Sequence, residues 1–505
     1  MLGSIKATVK DTIIYGFGNI AVKVVGLILI PLYTDPKFFT INEFGIIGIL
    51  DISGLVITSF LTFSLPQAFT RWFWDKDHKN NQKGIFFMTF VSQVVVSGSL
   101  CLLLIPFSGA FSRILFHSTD WSRVISLLIL ASAFQVIDNI INTLMRLQSK
   151  STLYTISNLF KLSIVLSLTL FFILSRKMGI EGIYLAQVLG NAFFILMLSV
   201  YTVKNCSVYF DHRVLKEMNI YGFPLFLGGI SAVFLNVIDR FSLNSMSFLK
   251  SVALYTLAIK ISSVIKLVLV DSIKLSILPT FLKKMDSIYN IRYYSKILLY
   301  TSFVIMFAIV GLSMFSLELT KIISKSKEFW GAVVIIPVLA LSVFFVNMKE
   351  VMVYGLHIAK KSRIVGLIVV LSTVLSLILN IILIPIFDIT GAALATLLSQ
   401  FVYWYACYYF AQKVFFVPYE IKKLVLLFIT GTILSFTSLF LNDLSLLIRL
   451  SVKTLLVAAF PFILYVLGFY ESIELQAIKG FIIKWSKVRM LGENLKSLKN
   501  IRDED

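Results

Sequence analysis

Long apolar runs alternate with short polar connections along almost the whole chain. A helix of about 20 apolar residues is long enough to cross the hydrocarbon core of a bilayer, which is roughly 30 Å thick. The pattern therefore predicts an all-α integral membrane protein with about fourteen transmembrane helices. The predicted spans cover residues 12–34, 44–65, 85–107, 124–145, 152–174, 182–203, 221–244, 251–277, 294–315, 330–348, 364–386, 389–411, 421–441 and 446–469.

Three short motifs recur at a nearly constant separation, which indicates an internal repeat. They are Tyr15-Gly16-Phe17 with Tyr221-Gly222-Phe223, Lys150-Ser151 with Lys361-Ser362, and Gly182 with Gly391. Because each copy holds six spans, an even number, the two copies have the same orientation and are related by an axis along the membrane normal. The predicted parts are an N-lobe at 1–203, a cytoplasmic linker at 204–220, a C-lobe at 221–411, two extra helices at 412–469 and a cytoplasmic amphipathic tail at 470–505.

The composition supports a multi-pass protein and assigns its orientation. The chain is 58% hydrophobic and only 14% charged, whereas soluble domains carry about 25% charged residues. The net charge of +20 would suggest a nucleic-acid partner in a soluble protein. Here, however, the predicted inner connections hold about three times as many Lys and Arg residues as the outer ones. We therefore expect both termini in the cytoplasm, contacts with membrane lipids, and no nucleic acid.

Charged side chains inside the predicted spans are the candidate functional residues. A charge at the bilayer centre costs at least ~2.5 kcal/mol, so such residues normally face a cavity, a partner or a substrate. Counting 1.5 Å per residue places Lys23, Lys161 and Lys260 in the middle layer of the membrane. This layer predicts a central cavity that attracts anions. The predicted spans also contain Asp138 and Lys266. The candidates for ion coupling or gating are Asp51, Asp239, Arg240 and Asp271.

Two readings of these charges stay open. In one, the lysines bind a substrate; in the other, Lys23 with Asp51, and Arg240 or Lys260 with Asp239, are buried ion pairs that fix the packing of helices. Arg71 stands among interfacial aromatic residues, where it serves either as an interface anchor or as a contact for lipid phosphate at the inner mouth.

Enzymatic motifs are missing from the sequence. All four histidines fall in or beside connections, and there is no P-loop, G-x-S-x-G or H-E-x-x-H element. The three cysteines are isolated and lack the spacing of metal ligands. We therefore expect no enzyme, no metal and no cofactor, while coupling to a H⁺ or Na⁺ gradient stays open.

Three stretches resemble a known family. PLYT at 31–34, NEFGIIGIL at 42–50 and DRFSLNSMSFLKSVALYTLAIKI at 239–261 are similar to the polysaccharide transporters, the O-antigen flippase type of the multidrug/oligosaccharidyl-lipid/polysaccharide (MOP) exporter superfamily. The resemblance covers nearly the whole chain. It implies a cationic cavity formed by Lys23, Lys161 and Lys260, with Arg71 near the entrance. Lysine stands where related flippases often use arginine, which changes how a phosphate would be held.

The resemblance also implies a function. The chain would move an undecaprenyl-pyrophosphate-linked oligosaccharide, such as an O-antigen or other surface polysaccharide repeat unit, from the inner to the outer leaflet of a bacterial inner membrane by alternating access. Polymerase and assembly proteins of lipopolysaccharide biosynthesis are the implied protein partners. Two alternatives stay open: a drug/cation antiporter of the same superfamily, and a non-transporting membrane scaffold for glycan assembly.

Overall fold

A computed structural model describes residues 26, 28–63, 65–75, 81–274, 291–359 and 361–476 of the chain. These residues form helices and their connections, without a strand. Most of the predicted first span, including Lys23, lies outside the described residues, and so does the tail after residue 476.

The described helices are numbered in chain order. They are α1 (Ile30–Tyr33), α2 (Ile41–Thr62), α3 (Leu65–Phe73), α4 (Gln82–Leu104), α5 (Ser108–Phe116), α6 (Ser122–Leu147), α7 (Ser151–Leu170), α8 (Gly179–Met197), α9 (Ser199–Lys204), α10 (His212–Leu235), α11 (Ile238–Met246), α12 (Leu249–Ile265), α13 (Ile291–Met314), α14 (Ser316–Ile323), α15 (Ile336–Ile358), α16 (Ser362–Val414), α17 (Ile421–Phe440) and α18 (Leu446–Val466). Single π-helical turns continue α7 over Phe171–Ser175 and α12 over Lys266–Val270.

Twelve helices of the described part are long and apolar enough to cross a membrane. One of them, α16, contains two spans, because Asp388 has non-helical backbone angles (φ 48°, ψ −125°) and turns the chain back. The described helices thus account for all predicted spans after the first. The chain is a multi-pass, all-helical membrane protein, as the sequence predicts.

Side chains next to the helix ends explain where several helices begin. The hydroxyl of Thr40 accepts a hydrogen bond from the backbone N–H of Glu43, and the Glu43 carboxylate accepts one from the Thr40 N–H at 2.7 Å. This reciprocal cap satisfies two backbone donors and starts α2. Asp211 likewise accepts from the N–H groups of Arg213 and Val214 and starts α10.

Two spans differ from the prediction. The sequence predicts one span over 221–244, but α10 begins at His212 and ends at Leu235, so part of the predicted linker is helical. The other span, predicted to end at 348, continues as α15 to Ile358. The polar residues there did not end the helix, because Glu350 is paired with Lys349 at 2.6 Å and with Lys274 at 2.8 Å.

The helix starts repeat along the chain as the recurring motifs predict. Ile41 of α2 and Leu249 of α12 are 208 residues apart, and the short helices α5 and α14 also begin 208 residues apart. In the packing, α6 contacts α2, α4 and α8, while α15 contacts α12, α13 and α16. One hydrophobic core crosses between these groups where α2 meets α12.

Candidate functional site

The contact between α2 and α12 is close because two glycines of α2 lie in it. A Cβ atom at Gly45 would overlap the carbonyl oxygen of Leu249, and one at Gly48 would press on the side chain of Thr256. Small residues let helix backbones approach each other in this way. About one turn beyond Gly48 and Thr256, the same contact brings Asp51 and Lys260 together.

Asp51 and Lys260 form an ion pair between the two predicted lobes. The Lys260 ammonium lies 3.3 Å from Oδ2 of Asp51, and the hydroxyl of Tyr184 donates to Oδ1 at 3.3 Å. The ammonium also lies 5.7 Å from the centre of the Phe44 ring. The side chains of Asp51 and Lys260 remain 37% and 23% exposed, so the pair is accessible and is not sealed in the core.

Lys161 is held within the N-terminal group of helices. Its ammonium donates to Asp138 at 2.6 Å and to Gln135 at 3.0 Å, which connects α7 with α6. The Asp138 side chain is fully buried. Lys161 therefore carries a neutralising partner, which the sequence did not assign to it.

Asp239 and Arg240 lie at the start of α11. Asp239 is buried and accepts a hydrogen bond from the hydroxyl of Tyr255 at 2.6 Å. The Tyr255 oxygen is 2.9 Å from the hydroxyl of Thr396. The Nε atom of Arg240 lies 3.7 Å from Oδ1 of Asp239, and a terminal guanidinium nitrogen of Arg240 donates a hydrogen bond to the carbonyl of Asn236. The predicted alternative pairing of Lys260 with Asp239 is replaced by the pair with Asp51.

The remaining candidates lie apart from this contact. Arg71 of α3 is exposed and stacks its guanidinium 4.5 Å from the ring centre of Tyr221 and 5.4 Å from that of Trp72. No carboxylate of the described residues forms an ion pair with Arg71. Asp271 follows the π-helical turn at the end of α12 and is not a free carboxylate.

The sequence did not identify several polar residues that bind carboxylates in the folded protein. Tyr184 and Tyr255 were overlooked because tyrosines are common in apolar spans and nothing in their spacing marks them as partners of a carboxylate. Lys453 carried a signal, since Arg449 and Lys453 are four residues apart on one helix face. Both pair with Glu318, at 2.7 Å and 3.0 Å, and the Lys453 side chain is fully buried.

The comparisons with known proteins identify the family. The family model described as "Polysaccharide biosynthesis protein" matches residues 8–285, more than half of the chain. The chain belongs to this family. The resemblance seen in the sequence is therefore confirmed. No curated protein is similar enough in sequence to match.

Solved structures with the same fold are distant in sequence. The Lipid II flippase MurJ in an inward closed conformation has a TM-score of 0.70 and 15% identity, covering 90% of this chain and 99% of MurJ. An inward-facing multidrug resistance MATE family transporter of the MOP superfamily has a TM-score of 0.65 and 12% identity, covering 82% of this chain and 95% of the transporter. A MOP superfamily transporter from Pyrococcus furiosus reaches 0.53 at 14% identity, covering 83% and 96%. The family member described here thus has a MOP transporter fold.

Proposed function

We propose that this chain is a flippase that carries an undecaprenyl-pyrophosphate-linked oligosaccharide across the bacterial inner membrane by alternating access. The observation that carries the proposal is the accessible ion pair between Asp51 of α2 and Lys260 of α12. This pair joins the two predicted lobes within the membrane and is accessible to a ligand. An anion that bound Lys260 could therefore break the pair and let the lobes separate. Support also comes from the family and from the fold shared with a lipid II flippase.

The chemistry of the pair suits a pyrophosphate ligand. Lys260 is a compact point charge, and a pyrophosphate brings more negative charge to it than the single carboxylate of Asp51. Attraction between charges strengthens as the local dielectric constant falls below that of water. In the proposal, the pyrophosphate takes the place of Asp51 at Lys260, and the link between α2 and α12 is released. The polyprenyl chain stays in the lipid.

The other candidate residues have different parts in this proposal. Lys161 lies 2.6 Å from the fully buried Asp138, whereas Lys260 lies 3.3 Å from the more exposed Asp51. Lys161 is therefore the more tightly paired lysine and contributes less attraction for an anion. Lys23 and Arg71 remain candidate contacts for the substrate. Asp51 and Asp239 are the candidate sites for coupling to a H⁺ or Na⁺ gradient, and no cofactor is required.

A reconstituted flipping assay tests the proposal. Proteoliposomes would carry a fluorescent undecaprenyl-pyrophosphate oligosaccharide, and transfer between leaflets would be followed by quenching of the exposed label. We expect Lys260→Ala to lower the flipping rate at least about tenfold, because the variant lacks the charge that attracts the pyrophosphate, and a loss of about 1.4 kcal/mol of attraction already corresponds to a factor of ten. Lys250→Ala is the matched control, since Lys250 is exposed in the first turn of the same helix and should keep the wild-type rate. Full activity of Lys260→Ala would refute the proposal.

The same vesicles distinguish the flippase from a drug/cation antiporter. The antiporter is the alternative because the chain shares its fold with MATE family transporters. Efflux of an organic cation that Asp51→Asn abolishes, without any transfer of the lipid-linked sugar, would favour the antiporter. Transport of neither substrate would favour the scaffold.

A further inference from the structure

A groove without an assigned ligand runs along the seam between the end of α2 and the first turns of α10. It holds about 550 Å³ and is lined on one face of α10 by residues that include His212, Lys216 and Phe223, with Phe63 on the other side. Neither Asp51 nor Lys260 lines it, so the groove is separate from the lobe-to-lobe ion pair.

The apolar part of this seam continues deeper into the membrane. Phe63 also lines a second cavity of about 660 Å³, together with Phe60 and Phe226. The Phe63 ring lies 4.8 Å from the Phe226 ring and 6.4 Å from the Phe223 ring, centre to centre. Among the described residues that line the second cavity, only Ser53 is polar. In the described part of the chain, the two cavities share Phe63 and form one mainly apolar strip, with its basic residues near the start of α10.

The polar end of the strip is basic. Lys216 and His212 are both exposed there, and no carboxylate of the described residues forms an ion pair with either. Asp211 lies next to His212, but its carboxylate accepts the backbone N–H groups that cap α10. Glu217, on the same helix, does not line the groove. Among the described residues, Lys216 thus gives the rim a positive charge that is not held in an ion pair.

The length of the strip matches one leaflet. Lys216 and Phe226 are ten residues apart on α10, which corresponds to about 15 Å at 1.5 Å per residue. Half of a hydrocarbon core of roughly 30 Å is also about 15 Å. A molecule with an anionic group at Lys216 and a chain against Phe226 would therefore reach from the bilayer surface to its middle.

We propose that this seam binds one anionic phospholipid of the adjacent leaflet, with its phosphate at Lys216 and His212 and an acyl chain along Phe63, Phe223 and Phe226. Basic groups near a membrane surface attract anionic lipids, and the apolar cavities have the size of ordinary ligand sites. The lipid contacts α2 of one predicted lobe and α10 of the other. This inference does not depend on the proposed flippase function.

Native mass spectrometry of the full-length protein tests the site. The protein would be delipidated in detergent and titrated with phosphatidylglycerol, and separately with phosphatidylcholine. We expect a first phosphatidylglycerol to bind the wild type several times more tightly than phosphatidylcholine. Lys216→Gln should weaken this binding about fivefold, because one basic group near the membrane surface contributes about that factor. Phe223→Ala should weaken the binding of both lipids.

Two control variants separate a site from a general surface effect. Arg213→Gln removes an equal charge from the same helix end at a residue that does not line the groove, and Leu225→Ala truncates an exposed apolar residue beside it. Both should bind phosphatidylglycerol like the wild type. The proposal is overturned if Arg213→Gln and Lys216→Gln weaken binding equally, or if both lipids bind alike. It is also overturned if undecaprenyl phosphate displaces the bound phosphatidylglycerol at equal concentration, since the seam would then be a substrate site.

Discussion

At the scale of single residues, the pair of Asp138 and Lys161 gives a direct test of how charges are tolerated in the helix bundle. Removing one partner of a buried pair leaves the other charge uncompensated and costs about 3–5 kcal/mol, whereas replacing both with apolar groups is often neutral. We expect Lys161→Met to destabilise the protein strongly, and Asp138→Leu with Lys161→Met to recover most of the loss. Thermal unfolding of both variants in the same detergent measures this. Equal stability of the two variants would contradict the expectation.

The sequence located such charges but did not assign their partners. Asp51, Asp138, Lys161 and Lys260 stand out in apolar runs, because few charged residues occur there. Their partners follow from packing, since Lys260 and Asp51 are 209 residues apart and meet only because glycines let α2 and α12 approach closely. No periodicity within one helix contains that information.

At the scale of helices, the close approach of α2 and α12 predicts a difference between two glycine substitutions. Gly45→Ala places a Cβ atom against the backbone of α12, so the helices must move apart at a cost of about 1–3 kcal/mol. Gly98→Ala is the control, because its Cβ would meet no atom within 4 Å and alanine favours a helix. Gly45→Ala should therefore lower the unfolding temperature in detergent, and Gly98→Ala should not. Equal effects would show that close packing at Gly45 is unimportant.

The segment after α18 predicts an acid response. Glu471 accepts hydrogen bonds from Lys296 at 2.7 Å and from Lys423 at 3.3 Å. These bonds hold the pKa of Glu471 below its ordinary value of 4.5. A lowered pKa stabilises the folded state above the ordinary value, and this contribution is lost as the pH falls through the lowered value.

We therefore expect the unfolding temperature to fall below pH 4.5, and Glu471→Gln to reduce that fall. Unfolding scans from about pH 6 to about pH 3 measure the difference. Glu217→Gln is the control, because Glu217 is exposed and forms no ion pair with a described residue. An identical acid response in Glu471→Gln and the wild type would contradict the expectation.

Helix existence was predictable from the apolar runs, but some helix ends were not. The start of α10 depends on the cap by Asp211, and its first turns are polar enough to resemble a connection. The end of α15 depends on the ion pairs of Glu350 with Lys349 and with Lys274, which follows the π-helical turn that continues α12. Both ends are set by contacts that hydropathy does not report.

At the scale of the whole molecule, ion pairs near both ends of α18 connect it to helices of the predicted C-lobe, α14 at one end and α13 at the other. Glu318, just before the middle of α14, pairs with Arg449 and Lys453, and the segment after α18 pairs through Glu471 with Lys296 of α13. Between these clusters, the Phe303 and Phe460 rings stack with centres 6.2 Å apart. The sequence placed α17 and α18 outside the repeat, but could not show which helices hold them. These contacts indicate that α18 moves together with α13.

Two matched cross-links test this arrangement together with the proposed alternating access. Phe303→Cys with Phe460→Cys links α13 to α18, whereas Phe60→Cys with Phe226→Cys links α2 to α10 across a similar ring separation of 6.0 Å. Each pair of cysteines would be introduced into a variant that lacks the three native cysteines. A short bismaleimide would then cross-link the two cysteines of each pair. Rigid-body motion of two lobes requires α2 and α10 to separate, but leaves α13 and α18 together. We expect the α2–α10 link to stop flipping in proteoliposomes and the α13–α18 link to preserve it. Loss of flipping with both links would show that α18 moves relative to α13 during transport. Full activity with both links would exclude the separation of α2 from α10 as the transport step.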